Sequence, residues 1–177
     1  NTDRICVFTD TGKMHVVKVM DIPLGKFRDK GTPLDNLSNF SSQEERMLYV
    51  ASMTEVLESQ FLFVTEQSMM KLVDGTEFDV ATRKTIDATK LNSGDRLLFV
   101  GRCDSMEYVV LQSREGFFLR FLQQEVPVKK KNAIGVRGMR LGEGDALEQA
   151  YLLEAHTEYT IPYGEKKISL NRLKLAK

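Results

Sequence analysis

The chain has 177 residues, enough for one domain with a real core, and Lys plus Arg balance Asp plus Glu at 25 each. A zero formal charge removes bulk composition as a sign of polyanion binding, so any such function must lie in how the charges are distributed. Cys6 and Cys103 lack CxxC spacing, which argues against a disulfide scaffold or a zinc site and fits a reducing cytosol, and no apolar run approaches a membrane span.

In chain order, Arg4–Thr9 is a short apolar run, Asp10-Thr11-Gly12-Lys13 is turn chemistry, and Met14–Val19 is a β-branched run; together they predict a hairpin. The phrase returns as Phe61–Thr65 with Met69–Leu72, and as Tyr108–Ser113 with Phe117–Phe121. A looser fourth copy runs from Tyr159 to Leu170. Anchored on Gly12, Ser68, Gly116 and Gly164, the copies are spaced by 56, 48 and 48 residues. A second phrase keeps the same rhythm at Lys30–Leu37, Lys84–Leu91 and Ile134–Leu141. The last two copies are followed by Gly94-Asp95 and Gly144-Asp145 and another apolar run.

Two segments admit a helix. Ser41–Glu45 has capping-box character, with Met47, Val50, Met53 and Leu57 at helical spacing behind it, and Asp145 with Glu148 is a similar start running to Leu153. Asp145–Ala150, however, aligns with the strand-like Asp95–Val100, which favours strands at both places.

A period near fifty holding about four short strands predicts an all-β, propeller-like array of four-stranded antiparallel blades. Residues 1–177 then form one domain, with repeats at about 3–56, 57–104 and 105–154 and a partial fourth at 155–177. Beginning without a methionine and ending within a repeat, the chain reads as a piece of a longer one.

No phosphate loop, HExxH, nucleophile elbow or aspartate cluster is present, so no catalytic, cofactor or metal residues are expected. The Gly-Asp pairs read as turns, and His15 and His156 as surface or rim side chains. The loops are more informative. Between Val126 and Arg140 stand Lys129, Lys130, Lys131, Arg137 and Arg140 without a carboxylate. Lys26, Arg28 and Lys30 sit near the first copy of the second phrase, and Arg83 and Lys84 at the second. In a radial array these clusters fall on one perimeter. Lys13, Lys71, Arg120, Lys166 and Lys167, from the hairpins, complete the candidate track. The acids mostly lie elsewhere, Glu45 and Glu77 among them. Such a track predicts sequence-indifferent, salt-sensitive binding to double-stranded DNA through its phosphates. The plainer alternative is that lysines at loop tips are only solvated and guard edges. A propeller-like protein-interaction platform is a further alternative, motivated by the zero net charge and by Phe117 and Phe118.

Val19-Met20-Asp21-Ile22-Pro23, Arg28–Leu37, Gly135–Leu141 and Gly144-Asp145 resemble the C-terminal domain of the bacterial DNA gyrase A subunit and its relative in topoisomerase IV. The resemblance implies a β-pinwheel that bends or wraps duplex DNA around a basic rim, supporting strand passage and supercoiling control by a type IIA topoisomerase. It also implies that catalysis lies elsewhere, in the rest of the A subunit and in the ATPase B subunit, within the nucleoid of a bacterial cytoplasm. The glutamine-arginine-arginine-glycine-glycine-lysine-glycine box of gyrase A subunits has no copy here; Lys26–Gly31 and Lys130–Gly135 are degenerate forms of it.

Overall fold

The computed structural model describes residues 2–177. The first repeat supplies β1 (Arg4–Thr9), β2 (Lys13–Lys18), β3 (Met47–Ser52) and the single helical turn α1 (Met53–Leu57). The second supplies β4 (Gln60–Thr65), β5 (Met69–Asp74), β6 (Thr85–Asp87) and β7 (Leu97–Arg102). The third supplies β8 (Tyr108–Ser113), β9 (Phe118–Leu122), β10 (Val136–Arg137) and β11 (Leu147–Leu153), and β12 (Thr160–Tyr163) with β13 (Lys166–Ser169) closes the chain.

The hairpin turns explain the repeat anchors. Gly12, Ser68, Gly116 and Gly164 all have positive φ, at +78°, +67°, +88° and +59°. A tight antiparallel turn needs this left-handed residue, and glycine adopts it without steric cost. Where serine replaces glycine, its hydroxyl oxygen accepts from Met139 N–H at 2.8 Å, an added use for the strained position.

The strands do not assemble repeat by repeat. The first sheet has the order β3-β1-β2-β6 and the second β10-β5-β4-β7, so the outer strand of each comes from the following repeat. The third sheet, β11-β8-β9, has three strands rather than the expected four, and Leu175 forms a parallel bridge to Arg120 on its outer edge. A two-stranded sheet, β12-β13, follows. The expectation of blades contained within one repeat is therefore corrected to blades linked by exchanged segments.

Core packing explains why the hairpin strands read as continuous apolar runs. Phe61 and Phe63 of β4 point into a cluster with Cys6, Phe8 and Phe78, whereas Leu62 and Val64 point into a second cluster with Val109, Leu111 and Leu147. A strand alternates its side chains between faces, so a sheet covered on both sides needs apolar residues at every position. In the first cluster Phe8 meets Phe78 edge-on at 5.2 Å between ring centroids. A third cluster joins Val110 and Leu153 to Ile161 and Leu170. The last strands of the three full repeats, β3, β7 and β11, each stand at one edge of their sheet and pack against one another in sequence, which puts the exchanged strands β6 and β10 on the opposite, outer edge.

Strands also occupy both places where a helix was possible. β3 covers Met47–Ser52, and only α1 is helical, capped by the Ser52 hydroxyl oxygen accepting from Glu55 N–H at 3.2 Å. β11 spans Leu147–Leu153. Tertiary burial of Leu147, Ala150 and Leu153 overrides the local capping signal.

Residues 19–33 form one short 3-10 turn and no ladder with any strand among the described residues. Their counterparts in the next two repeats supply β6 and β10, and without such pairing Leu24 and Phe27 stand almost wholly exposed.

Candidate nucleic-acid interface

Exchange sets where the basic clusters stand. In the first sheet, Val16 N–H donates to Lys84 O at 2.8 Å, and the chain runs straight on into β6, where His15 lies opposite Thr85. In the second sheet, Leu72 N–H makes the same bond with Pro127 O at 2.9 Å, and Val128 bridges Leu72. The chain then leaves the edge and rejoins it at Val136, opposite Met70. Residues 129–135, which include all three consecutive lysines, are thus a loop inserted between two anchors on β5. The expected equivalence of the three basic clusters does not hold, since only the third forms such an insertion and Lys26, Arg28 and Lys30 lie on the unpaired 19–33 segment.

Glycines close the loop. A Cβ on Gly135, whose φ is +103°, would stand 2.4 Å from Met70 O, and one on Gly138 would stand 2.6 Å from Met70 Sδ. Only glycine permits that approach.

The loop folds back over the second repeat's exchanged segment. Arg83, Lys90, Lys131 and Asn132 line one groove of about 410 Å³ with Ile86 and Asp87. Two of the three basic clusters therefore converge there, joined by Lys90, which the sequence pattern does not single out. A short apolar-polar alternation around Lys90 carries no signal of it; the position becomes visible only once the loop is seen to lie across β6. Lys129, Lys130, Lys84 and Arg137 are exposed nearby on the same exchanged segments, and Lys26, Arg28, Lys30, Lys166 and Lys167 are exposed elsewhere. Lys13 is half-buried and paired with Asp87.

Two expected contacts are turned inward instead. Lys71 is 1% exposed and Nζ donates to three carbonyl oxygens, those of Lys130 at 3.0 Å, Lys131 at 3.0 Å and Ala133 at 2.5 Å. Burial pulls its pKa down from 10.5 to about 8, against the pull of Glu77 in the other direction. Arg120 stacks its guanidinium 4.0 Å from the Tyr108 ring centroid and donates to Leu173 O at 3.0 Å. Neither is free to meet a phosphate, because each cation is already enclosed by its own sheet and the next repeat. Glu77, expected away from the cations, lies against them: its carbonyl accepts from Lys131 Nζ at 3.0 Å, and its carboxylate stands 3.7 Å from Lys130 Nζ.

The histidines divide. His156 is exposed as expected, but His15 is buried, with Nε2 2.8 Å from Glu45 Oε2 and Nδ1 2.9 Å from Thr85 Oγ1. The Gly-Asp pairs act as turns: Asp95 Oδ1 accepts from Gln67 N–H at 3.1 Å and Arg96 N–H at 2.8 Å, and Asp145 Oδ1 accepts from Glu115 N–H at 3.2 Å and Ala146 N–H at 2.8 Å. Each ties a hairpin turn to the strand that follows it. Among the described residues no three His, Cys, Asp or Glu side chains gather as metal ligands.

The family model "DNA gyrase C-terminal domain, beta-propeller" matches residues 59–104 and 107–153, more than half of the chain. The chain belongs to this family. Its sequence relatives include the DNA gyrase A subunits of Lawsonia intracellularis, 29% identical over 87% of the chain, and of Escherichia coli, 34% identical over 81%. The chain spans only 19% and 16% of those proteins. A topoisomerase IV A subunit of Streptococcus pyogenes is 26% identical over 90% of the chain and 20% of its own length. Among solved structures, the C-terminal domain of DNA topoisomerase IV superposes with a TM-score of 0.87 at 26% identity, over 99% of this chain and 56% of that one. The E. coli ParC C-terminal domain, at 15% identity, shares the fold with a TM-score of 0.78 over 99% of this chain and 73% of that one. Among the described residues no helix is long and apolar enough to cross a membrane.

Proposed function

We propose that this chain is a non-catalytic DNA-bending module of a bacterial type IIA topoisomerase A subunit, part of a larger β-pinwheel that works with the remainder of that subunit and the ATPase B subunit at the nucleoid. The observation that carries this reading is the convergence of Arg83, Lys90 and Lys131 around one groove on the outer edge, with Lys84, Lys129 and Lys130 exposed beside it. The cations project from loops and short edge strands, and among the described residues no helix or long ribbon is shaped to enter a major groove. Contact is therefore to phosphates, and selectivity comes from how readily a duplex bends.

Mobility shifts with duplex DNA across a salt series test the reading. Binding that weakens steeply with salt and is indifferent to sequence supports it; no binding at low salt, or binding unaffected by salt, overturns it. The protein-interaction platform is favoured by one observation, the exposure of Leu24 and Phe27 on an unpaired segment. It predicts that substituting both leaves DNA binding untouched while abolishing capture of a protein partner.

A further inference from the structure

Lys71 is the least expected side chain of the second sheet. β5 carries apolar residues to either side of it, and a buried ammonium is costly unless its protons are all bonded. All three of its bonds go to backbone carbonyls, of Lys130, Lys131 and Ala133, none to a carboxylate. Its place is equally specific. Leu72 is bridged to Val128 where the loop departs, and Met70 pairs with Val136 where the loop returns. Lys71 lies between these anchors, so its ammonium fills the inside of the loop whose outside carries Lys129 and Lys130. Carbonyls in an excursion of this kind have no ladder partner, and a three-proton donor satisfies three of them at once.

The first sheet supplies a control. His15 occupies the same position, three residues after the hairpin anchor, and meets the exchanged strand through a single contact, Nδ1 to Thr85 Oγ1 at 2.9 Å. There the exchanged segment runs straight and has no inserted loop to fill.

We infer that Lys71 is a positioning residue, an internal pin whose three hydrogen bonds hold the 129–135 loop in shape and so set where Lys129 and Lys130 stand on the rim. The consequence for DNA rests on the function proposed above. The groups facing the pin are Glu77 from the turn after β5, Lys130 and Lys131 from the loop, and the Phe63 ring of β4, 5.9 Å from Nζ. Because burial draws its pKa to about 8, the closed loop releases a proton within an accessible pH range, whereas an opened loop returns Lys71 to its ordinary 10.5.

The test compares wild type with Lys71→Met, which keeps length and removes the donors. Amide hydrogen exchange of residues 129–135 is read against that of β4, together with duplex DNA affinity at several salt concentrations. The expected result is roughly tenfold faster exchange in the loop, unchanged protection in β4, and DNA affinity lowered several-fold, in keeping with the removal of hydrogen bonds of ordinary strength. Raising the pH from about 7 to 9.5 should tighten the wild-type loop against opening, after correction for intrinsic exchange, because the opened loop holds a proton that the closed one releases, and should leave Lys71→Met unaffected. Unchanged loop exchange in Lys71→Met overturns the pin. A loosened loop with unchanged affinity, in a wild type that binds DNA, overturns its role on the rim. If wild type does not bind DNA at all, the proposed function fails, whereas loop exchange still decides the pin. Should Lys71→Met fail to fold, the wild-type pH series decides alone, and a loop indifferent to pH overturns the inference.

Discussion

Glu45 Oε2 stands 2.8 Å from His15 Nε2, and both side chains are buried. The other oxygen of Glu45 accepts from the hydroxyls of Thr9 and Thr11, each at 2.7 Å, and Ser41 N–H donates to Oε2 at 3.2 Å. Through Thr85 on the far side of His15, one polar network joins the first hairpin, the approach to β3, and the exchanged strand β6. Glu45→Ala strands several buried donors at once, and the expected cost is about 2–4 kcal/mol by urea unfolding. A destabilisation below about 0.5 kcal/mol, the level of an ordinary surface change, is the opposing result.

The same carboxylate gives an acid limb. Burial opposes its ionisation, but the bonds from Thr9, Thr11 and Ser41 and the charge of His15 outweigh that, and its pKa lies below the usual 4.5. A depressed carboxylate contributes stability that is complete above the usual value and fades as pH falls through the folded one. Wild type should therefore lose stability below pH 4.5 more steeply than Glu45→Gln, as followed by the urea midpoint at successive pH values.

The hairpins and their turns are legible in sequence because both causes are local. A left-handed turn residue recurs at Gly12, Ser68, Gly116 and Gly164, and strands buried on both faces are apolar at nearly every position. Strand exchange is not legible. β6 and β10 are three and two residues long, and what makes them strands is an edge presented by β2 or β5, far away in sequence. The same gap hides the fate of the charges. Lys71 reads as a rim candidate until the next repeat folds over it, although a single charge inside Met69-Met70-Lys71-Leu72-Val73 is itself a sign that something polar has to meet it. His15 is misplaced for the like reason, its partner Glu45 lying thirty residues on.

Lys71 sets a second pH dependence of the same sign, in the alkaline range. Its pKa is about 8 when folded against 10.5 in the open chain, so the unfolded state holds more protons between those values, and stability rises with pH across that window. The shift of 2.5 corresponds to at most about 3 kcal/mol. Lys71→Met should abolish the rise. Unfolding free energies at pH 7.5 and 10 measure it, and identical slopes in the two proteins would count against the buried cation.

Neither thiol should react in the native state. Burial pushes Cys6 and Cys103 up to about 12, and Cys6 contacts Met53 Sδ at 3.7 Å while Cys103 Sγ donates to Gln60 O at 3.2 Å. Labelling by a disulfide reagent at neutral pH should be limited by opening of the fold, so its rate should rise with urea. Because Cys6 belongs to the first core cluster and Cys103 to the second, single Cys→Ser variants report the two regions separately. Rapid labelling of either thiol without denaturant would show a looser core there.

Charge reversal separates phosphate-binding cations from structural ones. Lys129 and Lys130 are exposed, whereas Arg120 is clamped between Tyr108 and the Leu173 carbonyl. Reversing both lysines to glutamate should weaken binding to all duplex sequences alike and lower the salt slope by about one for each phosphate no longer neutralised. Arg120→Ala should leave that slope unchanged and instead destabilise the third sheet, since it removes a stacked guanidinium and unpairs a carbonyl of the following repeat. Mobility shifts over a salt series, run beside thermal melts, distinguish the two. A salt slope that falls for Arg120→Ala and holds for the double lysine variant would reverse these assignments and move the interface to the edge of β9.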